Sequence, residues 1–206
     1  MRQSFLIVAV AATLVLGLTT VSSAHPGHLG DHFGDGFTHP FMGWDHLLAM
    51  FAVGLLAVRH QGRAFLTLPA TFLLAMFSGC LMASSSVFSA LGLASADLTG
   101  VIEYGTISSV LILGILIAAA DLTRLSVATG LVALFALFHG YAHVSELSAG
   151  GTPLPYVGGL LLSTVALHVA GIVGGLVLTS TGNRIPLRLS GAAVSAVGLA
   201  MLLSVI

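Results

Sequence analysis

Lysine is absent from this 206-residue chain, and all six of its cationic side chains are arginines. Charged residues make up only 6% of the sequence and the formal net charge is −1. No basic patch or nucleic-acid motif is present, which argues against a nucleic-acid partner. A single cysteine, Cys80, excludes an intramolecular disulfide framework. It sits in an apolar run and reads as a small buried residue. No nucleotide-binding motif is present, so the chain is not expected to hydrolyse ATP itself. Low-complexity tracts are absent apart from a His/Gly/Asp-rich stretch at 25–39.

What the chain has instead is apolar length. It is 57% hydrophobic, with a mean hydropathy of +1.09. Long apolar runs at this level define a polytopic membrane protein. The start, MRQSFLIVAVAATLVLGLTTVSSA, reads as a signal peptide over 1–24: Arg2 precedes an apolar run, and Ser22-Ser23-Ala24 suits cleavage. Six further apolar spans follow at about 43–60, 64–83, 101–120, 124–146, 155–180 and 186–206, each near the ~20 residues that cross a hydrocarbon core. The small, polar stretch 84–100 reads as a loop with a short interfacial helix. The expected fold is thus all-α, a membrane helix bundle. It comprises the signal peptide 1–24, a His-rich segment 25–42 and a six-helix transmembrane domain 43–206. Six spans could form a 3+3 inverted repeat, but the polar residues do not recur between halves.

Arginine sets the expected orientation. Arg59 and Arg63, Arg124, and Arg184 and Arg188 fall in alternate connections, and none falls in 84–100 or 147–154. Positive connections stay cytoplasmic, so the mature N-terminus and the C-terminus should face outward, as a cleaved signal also requires.

Against this apolar background stand nine histidines. Ionisable groups inside a bilayer are costly and are functional candidates by default. His39, Asp45 and His46 lie at the start of the first span. There Asp45 also has a plain role complementing a helix N-terminus. His139, His143 and Glu146 are spaced i, i+4, i+7 and share an arc of roughly 60° on one helix face. Two imidazoles a turn apart can share a metal ion, with a carboxylate joining or orienting them; the plain alternative is interhelical hydrogen bonding. Glu103 falls at a similar depth, either as an interfacial carboxylate or as a further ligand. His168 lies about 18 Å along its span from Tyr156, near the midplane. It could be an interhelical hydrogen-bonder or a relay on a path. His25, His28 and His32, with Asp31 and Asp35, form a glycine-rich segment expected to be flexible and to concentrate metal outside the membrane. His60, beside Arg59, reads as solvated, with no role.

The runs HPFMGWDHLLAMFAVGLLA (39–57), EYGTISSVLILGILIA (103–118) and FHGYAHVSE (138–146), behind a signal peptide, resemble the HupE/UreJ family of nickel/cobalt permeases. The resemblance implies a secondary permease of a bacterial inner membrane. Its cargo would be Ni²⁺ or Co²⁺, for nickel enzymes such as hydrogenase or urease, with no permanent cofactor. It implies His39, Asp45 and His46 as one metal motif, and His139, His143 and Glu146 as a second. Val144 departs from the family pattern, where glycine is expected after the second histidine. Beyond the metal ion, the expected partner is the lipid bilayer, and a homo-oligomer is left open. Three rival readings also remain open: an intramembrane metal-dependent enzyme, a b-type haem protein with axial histidines, and an accessory protein that binds metal without transporting it.

Overall fold

The computed structural model describes residues 32–84, 95–119, 123–145 and 153–205. The expected signal peptide, together with His25, His28 and Glu146, lies outside them. Among the described residues the chain is all-α. A short helix α1 (Phe33–Thr38) runs into a 3-10 turn (His39–Phe41). It is followed by α2 (Trp44–His60), α3 (Ala64–Ser84), α4 (Ser95–Ala118), α5 (Leu125–Ser145), α6 (Pro153–Thr179) and α7 (Ile185–Val205).

Helices α3 to α7 are each long and apolar enough to cross a membrane. The first span is broken: Phe33–Phe41 and Trp44–His60 meet at a bend of 83° and count as a sixth span only together. The chemistry of the bend is local. Pro40 occupies the 3-10 turn, and Gly43 takes an extended backbone (φ −105°, ψ 124°) before α2 starts. A broken helix at membrane depth is tolerated where it is packed in protein or lines a polar path.

Two expectations are corrected. The glycines of 25–38 argued against fixed structure, yet residues 33–38 are helical. The His32 N–H donates to Asp35 Oδ2 at 3.3 Å, and the Thr38 hydroxyl donates to the Gly34 carbonyl at 3.0 Å. Here glycine serves contact rather than flexibility. A methyl group on Gly36 would run into the Tyr156 carbonyl, and one on Gly159 into that of Phe33, so α1 lies against α6 backbone to backbone. The second correction concerns 84–100. Helix α4 already begins at Ser95, so the end of that stretch belongs to a helix rather than a loop.

Helix α2 is the central element. Ala49, Met50, Ala52, Val53, Leu55, Leu56 and Ala57 are at most 1% exposed, because neighbouring helices rather than lipid surround α2. The outer helices instead turn large apolar side chains outward, among them Leu66, Leu74, Leu162, Val169 and Leu203. This is the pattern of a surface solvated by lipid.

Small residues allow the close packing that membrane helices need in place of a hydrophobic drive. On α2 and α6, Gly54 abuts the His168 carbonyl while Gly171 abuts that of Phe51. On α3 and α5, Gly79 abuts the Leu137 carbonyl while Gly140 abuts that of Met76. In all four cases the glycine follows, by three positions, the residue whose carbonyl its partner packs against. Helices α4 and α7 pair through Gly114 against Ser195 and Gly198 against Leu111. Exchanging the first three long helices for the last three converts the α2/α6 contact into the α5/α3 contact and returns α4/α7 to itself. The halves thus correspond through glycine, not through the polar residues in which a repeat was sought.

Candidate metal centre

The bend carries His39 to the end of the bundle opposite the arginines. His46 follows in the first turn of α2, and α5 brings His143 from the other side. The three rings meet. The His46 and His143 centroids are 4.2 Å apart, those of His39 and His143 4.8 Å, and those of His39 and His46 5.8 Å. One ligand atom from each lies within 4.8 Å of the other two. Nitrogens bound tetrahedrally at ~2.0–2.1 Å stand about 3.4 Å apart, so the widest pair would close by on the order of 1.4 Å around an ion. Rotation of imidazole rings covers that distance.

Burial makes the arrangement costly without a cation. His143 and His139 are fully buried and His46 is 6% exposed. Neither ring nitrogen of His143 has a hydrogen-bond partner among the described residues. Buried polar atoms left in that condition call for an explanation, such as a bound ion or water. His139 lies one turn along α5, its ring 5.1 Å from that of His46. Its Nδ1 is 2.9 Å from the Phe135 carbonyl. Donation there keeps the proton on Nδ1 and leaves Nε2 with its lone pair, as a metal ligand requires. Nε2 has no hydrogen-bond partner among the described residues.

Asp45 is partly exposed, and its Oδ2 lies 3.1 Å from His46 Nδ1. This sets a carboxylate at ion-pair distance from the imidazole, a placement from which a carboxylate can orient a ring and leave its Nε2 for an ion. Gly43 makes room for it: an added Cβ there would sit 2.8 Å from Asp45 Oδ1. Three imidazoles and a carboxylate suit a borderline divalent transition ion, whereas hard Mg²⁺ or Ca²⁺ prefers oxygen alone.

The remaining candidates fall elsewhere. Glu103 is exposed on α4 and does not belong to the His39/His46/His143 group. His32 is exposed at the start of α1. His168 is 2% exposed and deeper, and neither of its ring nitrogens has a hydrogen-bond partner among the described residues. The sequence reading missed Phe72. Its ring lies 5.8 Å from that of His139 and 5.1 Å from that of His168, connecting the two levels. It also missed Tyr156 as a neighbour of the cluster, fully buried and 6.0 Å from the His39 ring. An aromatic in an apolar span carries no signal that separates it from core.

A broken first span, five further spans and a buried histidine cluster at one end define a multi-pass helical membrane protein with a candidate transition-metal site. Residues 13–201 match the family described as HupE / UreJ protein. The chain is also 34% identical over 202 residues to "Protein HupE" of Rhizobium leguminosarum bv. viciae, covering 98% of this chain and 99% of that one. This chain belongs to the HupE/UreJ family. No solved structure matches it significantly.

Proposed function

We propose that this protein is a secondary transporter that imports Ni²⁺, with Co²⁺ as the alternative cargo, through the histidine cluster. The observation that carries the reading is the convergence of His39, His46 and His143 from three separate segments into one group, with His46 and His143 buried and His39 partly so. Family membership supports it, and so does the run of rings inward through His139 and Phe72 to His168. The cluster exchanges part of the ion's water shell for imidazole, with Asp45 offsetting charge. Affinity has to stay moderate for the ion to leave again.

On this reading the histidine end faces outward in a bacterial inner membrane and the arginine end faces the cytoplasm. A membrane potential would then drive a divalent ion inward by about 4.6 kcal/mol per 100 mV. The His-rich segment from His25 onward would gather metal before capture, and Glu146 and Glu103 would serve entry. Edge-on rings at 4.2 Å leave no plane for a porphyrin between His46 and His143, which weighs against the haem alternative.

The test is uptake of ⁶³Ni and ⁵⁷Co by cells expressing the protein, His46→Ala or His143→Ala, with membrane insertion checked by immunoblot. Transport requires uptake well above vector controls and its loss in both variants. Stoichiometric metal binding without uptake would instead identify an accessory protein. Unchanged uptake in well-inserted variants would remove the cluster from the mechanism.

A further inference from the structure

Between the histidine cluster and His168, three helices bring a group of electron-rich atoms together. Met50 from α2, Met76 from α3 and Thr164 from α6 are all fully buried. The Thr164 hydroxyl oxygen is 3.3 Å from Met50 Sδ and 3.8 Å from Met76 Sδ. It is also 2.8 Å from the Leu160 carbonyl. A hydroxyl has one proton, and a carbonyl oxygen is a far better acceptor than a thioether. With the proton on the Leu160 carbonyl, the two sulfurs and the Thr164 oxygen present lone pairs to one another. No proton then lies between them.

The surroundings share that character. Thr164 and His168 are one turn apart on α6 and face the same side. His168 is buried with both ring nitrogens unpartnered among the described residues. His139, whose Nε2 has no hydrogen-bond partner among the described residues, lies beside the same Phe72 ring as His168. Phe72 itself stands one turn from Met76 on α3. Leucine would fill the positions of both methionines equally well and would contribute no donor. Electron-rich atoms converging in a dry interior are stabilised by a cation.

We propose that Met50, Met76, Thr164 and His168 form a second, inner metal site of softer donors, which the ion occupies after leaving the outer imidazoles. As a station on a path, it rests on the transport reading given above. As a binding site, it stands on its own geometry. Two thioethers, a hydroxyl and an imidazole hold a divalent ion more loosely than three imidazoles do. They accept soft monovalent ions such as Ag⁺ or Cu⁺ readily. An inner site weaker than the outer one for Ni²⁺ lets the ion move on. The same site makes the protein sensitive to soft cations.

The test uses the full chain in nanodiscs on a Cys80→Ala background, so that the thiol does not compete, with Ag⁺ as the probe. Ag⁺ binding is measured by equilibrium dialysis and X-ray absorption. The expected result is that His46→Ala/His143→Ala still binds one Ag⁺ with sulfur neighbours. Met50→Leu/Met76→Leu, which conserves volume, loses that ion's affinity by about tenfold or more while keeping its ⁶³Ni binding within about twofold. In cells, that methionine variant takes up nickel about tenfold more slowly or worse. Unchanged silver affinity overturns the site. So does silver without sulfur neighbours in the parent protein, a readout that needs no methionine variant to fold. Full nickel uptake by the methionine variant overturns its place on the path. Failure of the parent protein to transport would overturn the transport reading alone, and the silver measurements would still decide the site.

Discussion

Replacing Asp45 with asparagine separates two roles that one carboxylate could play. At the first turn of α2 it complements the helix N-terminus, a contribution to stability of about 0.3–1 kcal/mol. At 3.1 Å from His46 Nδ1 it is also placed to orient the imidazole of the proposed metal site. Asparagine keeps the shape and can still accept from Nδ1–H, so the ring stays where it is and only the charge goes. Loss of such an orienting partner lowers metal affinity about 10–100-fold, equivalent to about 1.4–2.7 kcal/mol. Because Asp45 is 21% exposed, partial screening favours the lower part of that range. The assay is ⁶³Ni equilibrium dialysis against nanodisc-embedded protein, run beside thermal unfolding of the same samples. A fall of about tenfold in affinity with little change in melting supports the orienting role. If Asp45→Asn binds nickel within about threefold of the parent and only melts earlier, the carboxylate is a helix-end group and the argument from the 3.1 Å contact fails.

Two further outcomes are expected. On one helix, Gly140→Ala and Gly130→Ala should have opposite signs. The first drives a methyl into the Met76 carbonyl and should cost about 1–3 kcal/mol, whereas nothing lies within 4 Å of the second, so alanine's helix preference should stabilise by up to about 1 kcal/mol. Thermal unfolding in detergent measures both, and equal destabilisation would contradict the packing described. Uptake should also fall as external pH is lowered. Protons compete with metal for the imidazoles of His39, His46 and His143, and only the neutral ring is a ligand. ⁶³Ni uptake at clamped membrane potential tests this, and a rate that rises on acidification would point to proton-coupled entry instead.

The bundle was legible because bilayer thickness sets the length of every apolar run. The stripe on α5 was legible because i, i+4 spacing decides which side chains share a face. Depth, however, is not azimuth. Sequence spacing puts Glu103 at a depth similar to the cluster, yet it is exposed on α4, and no pattern in a helix apolar all round distinguishes an exposed face from a buried one. Glycine misled in α1, where Gly36 reads as a loop residue but serves the contact with Tyr156. Met50, Met76 and Thr164 were invisible for a related reason. Each is ordinary in a membrane helix, and only their meeting from three helices gives them chemistry. The correspondence between halves is carried by glycine contacts, which the pattern of polar residues along the chain does not reveal.

The glycine contacts bear on how such a protein could move. Reciprocal carbonyl-to-glycine packing ties α2 to α6 and α3 to α5, so each pair can be viewed as one plank of two helices. His46, Met50, Thr164 and His168 ride on one plank; Phe72, Met76, His139 and His143 ride on the other. Every level of the column therefore straddles the seam between them. A slide of one plank past the other would loosen the grip at all levels together, with no helix unwinding and no individual gate.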